Sequence, residues 1–257
     1  MRHIHDATRK SYERRERAEW ASVRRAERDY AKHLRGIAKQ IGALFEGLNV
    51  DSPSALDLLV EILERYALLI EPWAVATANR MLADVGRRDE AQWAKHSKTM
   101  SRELRKEIQS APTGLILADL QALQVDLITS LPREAAQRVH ALAQERMVAN
   151  PIRANQLAAD ILRTGDVTVS RANLIARTET SRVASNLVQA RAQWVGSEGY
   201  IWRTAGDSDV RPEHKILNGT FQRWDEPPVA AVTGQRAHPG CIWNCRCYAE
   251  PLVADTF

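Results

Sequence analysis

Cysteine is scarce in this sequence: its 257 residues include three, Cys241, Cys245 and Cys247, all within one seven-residue stretch. An odd, clustered set excludes the disulfide framework of a small secreted protein and favours a reducing compartment. No uninterrupted apolar run approaches the roughly 18–20 residues of a membrane-spanning helix, and no apolar leader follows the first methionine. The sequence therefore predicts a chain made in the cytoplasm that has no membrane partner.

Positive charge is concentrated at the N-terminal end. The formal net charge is only +4, but residues 1–39 hold twelve Lys and Arg against six Asp and Glu. Such a segment can bind phosphates through electrostatics that ignore base sequence. The alternative is a solvated helix face of mixed charge. The candidate DNA-binding residues are Arg14, Arg15, Arg17, Arg24, Arg25 and Arg28.

Apolar residues in steps of three and four predict helices over most of the chain. The first is a long amphipathic helix over residues 8–48, and Gly86, Pro132 and Gly165 are expected to mark helix boundaries further along. From Tyr200 onward the sequence holds five of the ten prolines. This change predicts a mainly α fold, with a multi-helix body (1–165) followed by a small, loop-rich α+β module (166–257).

Within the small module, residues 200–204 alternate like a strand. Asn218-Gly219 predicts a type I′ hairpin turn, because both residues tolerate a positive φ.

Five side chains of the module are candidate metal ligands. Thiolate and imidazole suit Zn²⁺, and four of them close a tetrahedral site. The alternative is that the cysteines are small buried residues on one strand face, because no Cys-x2-Cys pair is present. The five candidates are His214, His238, Cys241, Cys245 and Cys247.

A catalytic interpretation rests on His214, Asn218 and His238, whose residue types are those of metal-dependent nucleases. Their spacing is generic, and no Ser-His-Asp order or phosphate-cradling glycine loop accompanies them. We therefore expect no enzymatic activity. A metal-dependent, nuclease-like hydrolase that uses His and Cys residues of the C-terminal module is the alternative.

An ordered set of short motifs over residues 174–252 resembles the Mu F-like head-morphogenesis family of phage minor head proteins. The helical part is Ala176-Arg-Thr-Glu179 with Arg182, Asn186 and Ala190. The later parts are Tyr200–Thr204, Asp207, Asp209–His214, Leu217–Gly219, Phe221, Asp225–Pro228, His238-Pro-Gly240, Asn244-Cys-Arg-Cys247 and Ala249–Pro251.

The resemblance implies a minor capsid protein of the virion, inside the phage head near the portal and made in the bacterial host cytoplasm. It implies roles in procapsid assembly and DNA packaging. The expected partners are the portal protein, the major capsid or scaffolding protein, and double-stranded DNA. The positions that match the family motif are Arg177, Glu179, Asp209, Arg211, His214, Asn218, Gly219, His238, Asn244, Cys245, Arg246 and Cys247.

Overall fold

A computed structural model describes residues 23–46, 53–148 and 154–254. The predicted fold class is confirmed: the chain is mainly helical, with a small antiparallel sheet near its C-terminal end. The helices are α1 (Arg24–Glu46), α2 (Pro53–Leu69), α3 (Glu71–His96), a 3₁₀ turn (Ser97–Thr99), α4 (Arg102–Ser110), α5 (Thr113–Val148), α6 (Ala154–Trp194) and α7 (Pro212–Leu217). The strands are β1 (Gly199–Arg203), β2 (Phe221–Arg223) and β3 (Tyr248–Pro251).

Three predicted helix boundaries are wrong, because burial overrides local propensity. Helix α3 runs through Gly86, between the buried Val85 and Asp89. Helix α5 runs through Pro132, with the buried Leu131 beside it.

The third boundary, Gly165, lies inside α6, so the predicted domain limit at 165/166 falls within a single helix. A Cβ at Gly165 would lie 3.4 Å from the Cα of Gly42. Two backbones approach each other closely at this point, and such an approach favours glycine within a helix. Gly165 therefore serves packing and does not end α6.

One compact unit consists of Arg28–Met81 and Asp119–Ala176. Its core is mainly aliphatic, and its buried hydrogen bonds include one from the Tyr30 hydroxyl to Oε1 of Gln124 (3.1 Å). Arg171 forms an ion pair with Glu134 (2.9 Å). Its largest fully buried side chains include Leu34, Ile41, Leu56, Leu59, Leu63, Ile128, Leu131 and Ile161.

The expectation that no stretch of the chain is long and apolar enough to cross a membrane needs a correction. Within Arg102–Glu145, one 18-residue stretch is long and apolar enough to cross a membrane by length and composition alone. Of that stretch, 28% is buried inside the protein, and the buried apolar side chains of α5 include Leu120, Ile128, Leu131 and Val139.

The second compact unit comprises Leu82–Ala118, residues 177–254 and the described residues 23–27. Its sheet has the order β2-β1-β3, with Trp202 opposite Ala249 and Tyr200 opposite Pro251. β1 therefore lies in the centre, which explains why Tyr200 and Trp202 are fully buried. Residues from α3, α4, α6 and the sheet form its core, among them Trp93, Leu104, Ile108, Val188, Ala192, Tyr200, Trp202, Trp224 and Ile242.

Candidate functional site

Residues 238–247, here called the Cys loop, are held at one point by the helix α6. The backbone N–H of Asn244 donates to the Thr178 hydroxyl (2.9 Å), and Arg177 donates to the Asn244 side-chain oxygen (2.7 Å). Asn244 has φ 61°, a left-handed conformation that asparagine tolerates better than most residues. Arg177 also pairs with Glu27 (3.3 Å). The Arg177 and Asn244 positions of the family motif therefore meet in space.

One to two turns further along α6, two more side chains bind backbone carbonyls of the Cys loop. The Ser185 hydroxyl donates to the Pro239 carbonyl (2.7 Å), and Arg182 donates to the Cys241 carbonyl (3.4 Å). Glu179 is fully buried and lies 3.4 Å from Arg182, so it provides a negative charge beside that guanidinium.

Gly240 lets the Cys loop pass close to α6. It has φ 82°, and a Cβ there would lie 3.1 Å from the Ser181 carbonyl oxygen and 3.2 Å from that of Cys247. Both the conformation and the space exclude a side chain. The glycine of the His-Pro-Gly motif is therefore explained by this close approach.

The other side of the Cys loop is held by the segment that precedes α7. Arg211 donates to the Trp243 carbonyl (2.8 Å). Arg246 lies 3.1 Å from a carboxylate oxygen of Asp207 and 3.3 Å from one of Asp209. The polar residues that the sequence places before His214 therefore bind the Asn-Cys-Arg-Cys segment.

His214, Cys245 and Cys247 come together in the interior of this unit, and all three are buried. Nδ1 of His214 lies 3.6 Å from Sγ of Cys245 and 3.4 Å from Sγ of Cys247. Nε2 of His214 is 2.9 Å from the Ala230 carbonyl oxygen, so this nitrogen carries the proton and donates. The side chain thus presents Nδ1 to both sulfurs.

The electrostatics of this cluster favour one thiolate. The hydrogen bond from Cys247, followed by the hydrogen bond and charge of His214, holds the pKa of Cys245 well below its usual value. The hydrogen bond to Cys245 and burial raise the pKa of Cys247. Burial lowers the pKa of His214, but the hydrogen bond and charge of Cys245 outweigh it and raise that pKa overall. Of the two cysteines, Cys245 is therefore the one at which a thiolate is favoured.

The two other predicted ligands lie outside this cluster. His238 accepts or donates at Nδ1 with the Tyr200 hydroxyl (3.0 Å) and packs against the Trp224 ring. Burial lowers the pKa of His238 and raises that of Cys241. Of the five candidates, the structure thus brings three together and separates His238 and Cys241 from them.

A turn is present at Asn218-Gly219, but the predicted hairpin and the predicted turn type are both wrong, because the turn leads from α7 into β2. Asn218 has φ −61° and ψ 121°, and Gly219 has φ 84°, values that define a type II turn. The Asn218 side chain accepts from the Thr204 N–H (3.0 Å). Asn218 is thus bound to Thr204, directly after β1, whereas His214 lies against Cys245 and Cys247 and His238 lies against Tyr200 and Trp224.

Two cavities border the Cys loop. The smaller, about 20 Å³, lies beside the His214 cluster and is also lined by Asp207 and Arg211. The larger, about 370 Å³, is lined by apolar residues such as Val188 and by the charged Lys95. Cys247 lines both cavities. The larger cavity was not predicted from the sequence.

The predicted DNA-binding arginines are only partly described. Arg14, Arg15 and Arg17 lie outside the described residues. Arg24, Arg25 and Arg28 are exposed in the first turns of α1.

Two residues that hold the Cys loop, Thr178 and Ser185, were missed at the sequence level. With Arg182 they follow the spacing i, i+4, i+7, which places them on one helix face. The repetition of hydroxyl and arginine side chains at that spacing is the signal that would have found them.

The geometry defines a helical protein whose C-terminal α+β module is fastened to a long helix by a polar motif. Residues 138–250 match the family model described as "Phage Mu protein F like protein", which supports the resemblance of this region to Mu F-like phage head-morphogenesis proteins. The match begins in α5, earlier than the motifs from residue 174 onward indicated.

A stretch of 134 residues is also 32% identical to an uncharacterized protein of Haemophilus influenzae. The match covers 52% of this chain and 29% of that relative, so the chain spans less than a third of the relative's length. No solved structure matches the chain.

Proposed function

We propose that the chain is a minor capsid protein that acts at the portal in procapsid assembly and DNA packaging. The match of residues 138–250 to a phage protein family supports the general role. The location in the head interior near the portal and the contacts with portal, major capsid or scaffolding protein belong to the proposal.

The observation that carries this proposal is how the motif residues are used. Arg177, Asn244 and Arg211 bind side chains and carbonyls within the module itself, and Arg246 pairs with Asp207. A catalytic site instead directs such groups towards a substrate. Motif residues that bind one another within a module are typical of a structural protein, which presents its surface to partners.

Helix α2 offers a surface for a protein partner. Its side chains Leu58, Leu68 and Leu69 are 48%, 63% and 77% exposed. The eleven-residue spacing of Leu58 and Leu69 places them on the same helix face. The exposed Glu61–Arg65 ion pair lies between them, so this face of α2 combines apolar and charged side chains, as protein interfaces do, and we propose it as the portal contact.

The test is association with portal protein and with particles. We expect the chain to copurify with portals and heads of a phage that encodes it. The double variant Leu68→Asp/Leu69→Asp should weaken portal binding at least about tenfold, the size of a modest interface hot spot. Leu162→Asp, at a position 52% exposed on α6, is the matched control and should bind normally.

Absence of the wild-type chain from purified heads would remove the proposal. Equal loss of binding in the control variant would remove the α2 surface alone.

DNA contact by the start of α1 is a separate part of the proposal. Each arginine that neutralises a phosphate adds about 0.9 to the slope of log affinity against log salt. Substitution of Arg24, Arg25 and Arg28 by alanine should therefore reduce that slope by up to about 3. Filter binding of unrelated duplexes at about 50 and 200 mM salt measures it. Unchanged DNA retention in the triple variant would contradict DNA binding by α1. The control for lost positive charge is the double variant Arg87→Ala/Arg163→Ala, which replaces exposed arginines elsewhere in the chain.

A further inference from the structure

The distances within the cluster of His214, Cys245 and Cys247 match those between ligands of one metal ion. Zinc–sulfur bonds of about 2.3 Å and zinc–nitrogen bonds of about 2.0–2.1 Å in a tetrahedron separate S from N by about 3.5 Å. The observed separations from Nδ1 are 3.4 and 3.6 Å. All three ligand atoms lie within 4.8 Å of one another. One ion fits between them without rearrangement of the backbone.

The surrounding contacts orient these ligands in the way that metal sites require. A ligating histidine usually donates its second ring N–H to a carbonyl or carboxylate, and His214 donates Nε2–H to the Ala230 carbonyl. The backbone N–H of Cys247 points at Sγ of Cys245 (3.4 Å), which stabilises a thiolate there. Both cysteines are free thiols.

The fourth position faces the small cavity, whose volume of about 20 Å³ has room for one water molecule. Asp207 also lines this cavity, but its Oδ2 is engaged by Arg246 at 3.1 Å, so a water molecule is the oxygen ligand that the cavity can supply. The larger cavity also borders Cys247.

We propose that His214, Cys245 and Cys247 bind one divalent metal ion of the zinc class, with an oxygen as the fourth ligand. The ion links α7 to the segment leading into β3, and so fastens the module from inside. This site is independent of the portal contact, so either proposal can fail alone.

The test uses the full chain, purified and loaded with Zn²⁺ or Co²⁺. We expect one equivalent of zinc per chain by elemental analysis. The Co²⁺ form should show the intense visible bands of tetrahedral cobalt together with thiolate-to-cobalt charge transfer. Because these bands are read on the unaltered chain, the result does not depend on whether any variant folds.

Variants then identify the ligands. Cys245→Ser, Cys247→Ser and His214→Gln should each weaken zinc affinity at least about 100-fold, beyond the 10–100-fold effect of outer-shell changes. Cys241→Ser and His238→Gln replace the same residue types in the same module and should keep full affinity. A folded wild-type chain that takes up no stoichiometric zinc would overturn the proposal, as would equal loss of zinc in the two controls.

Discussion

Replacement of Arg191 by methionine is expected to lower the free energy of unfolding by about 3–5 kcal/mol, which is the usual cost of removing one partner of a buried ion pair. Arg191 and Asp89 are 5% and 3% exposed in their side chains, and Nε of Arg191 lies 2.6 Å from the Asp89 carboxylate. Arg191 also donates to the Ile108 carbonyl (2.8 Å). Methionine keeps the packing but leaves Asp89 buried without its counter-charge.

This pair also gives a pH dependence. Burial raises the pKa of Asp89 to about 6, against the opposing effect of Arg191. A folded-state pKa above the unfolded value of 3.8 means that the folded chain binds more protons between these limits, so this group's contribution to stability falls as pH rises through them. Loss of Arg191 should raise the pKa of Asp89 further and extend that fall to higher pH.

Urea unfolding followed by circular dichroism measures both effects. Arg87→Met is the matched control, because Arg87 forms an exposed pair with Asp84 and such pairs contribute about 0–1 kcal/mol. Addition of Asp89→Leu to Arg191→Met should recover part of the loss. A cost below about 1 kcal/mol for Arg191→Met at neutral pH would show that the pair is not the buried contact described here.

The α+β module could be predicted from sequence because its signals are local. Strand alternation predicts β1 within a residue or two, and the ordered motifs name most residues that fasten the Cys loop. Helix boundaries failed at Gly86, Pro132 and Gly165 because the deciding forces are tertiary. Buried neighbours hold the helix through Gly86, and the approach of Gly42 explains the glycine at position 165.

Sequence reasoning named the ligand types of the candidate site and could not select among them. The spacing of Cys241, Cys245 and Cys247 does not show which of them lie near His214. Tertiary contacts of the Cys loop, namely the close approach at Gly240 and the hydrogen bond of Asn244 to α6, position these sulfurs. The pairing of Asp89 with Arg191 spans 102 residues. No periodicity within either helix specifies a partner at that separation.

Trp202→Ala is expected to lower the free energy of unfolding by about 3–5 kcal/mol, the range for deletion of a large buried aromatic side chain. Trp202 is fully buried on the central strand, opposite Ala249. Its ring lies edge-on to His214 with centroids 5.2 Å apart. Removal of the Trp202 ring leaves a cavity beside His214, and the small sheet has few other large side chains that could fill it.

Trp194→Ala is the control, because Trp194 is 50% exposed at the end of α6 and its removal should cost no more than about 1 kcal/mol. Hydrogen exchange resolves where the loss falls, since amides of β1 and β3 should lose protection while those in the unit containing Leu34 and Ile161 keep it. Equal losses for the two variants would contradict the position of Trp202 in the module core. Loss of protection in both units would show instead that the chain unfolds as one cooperative body.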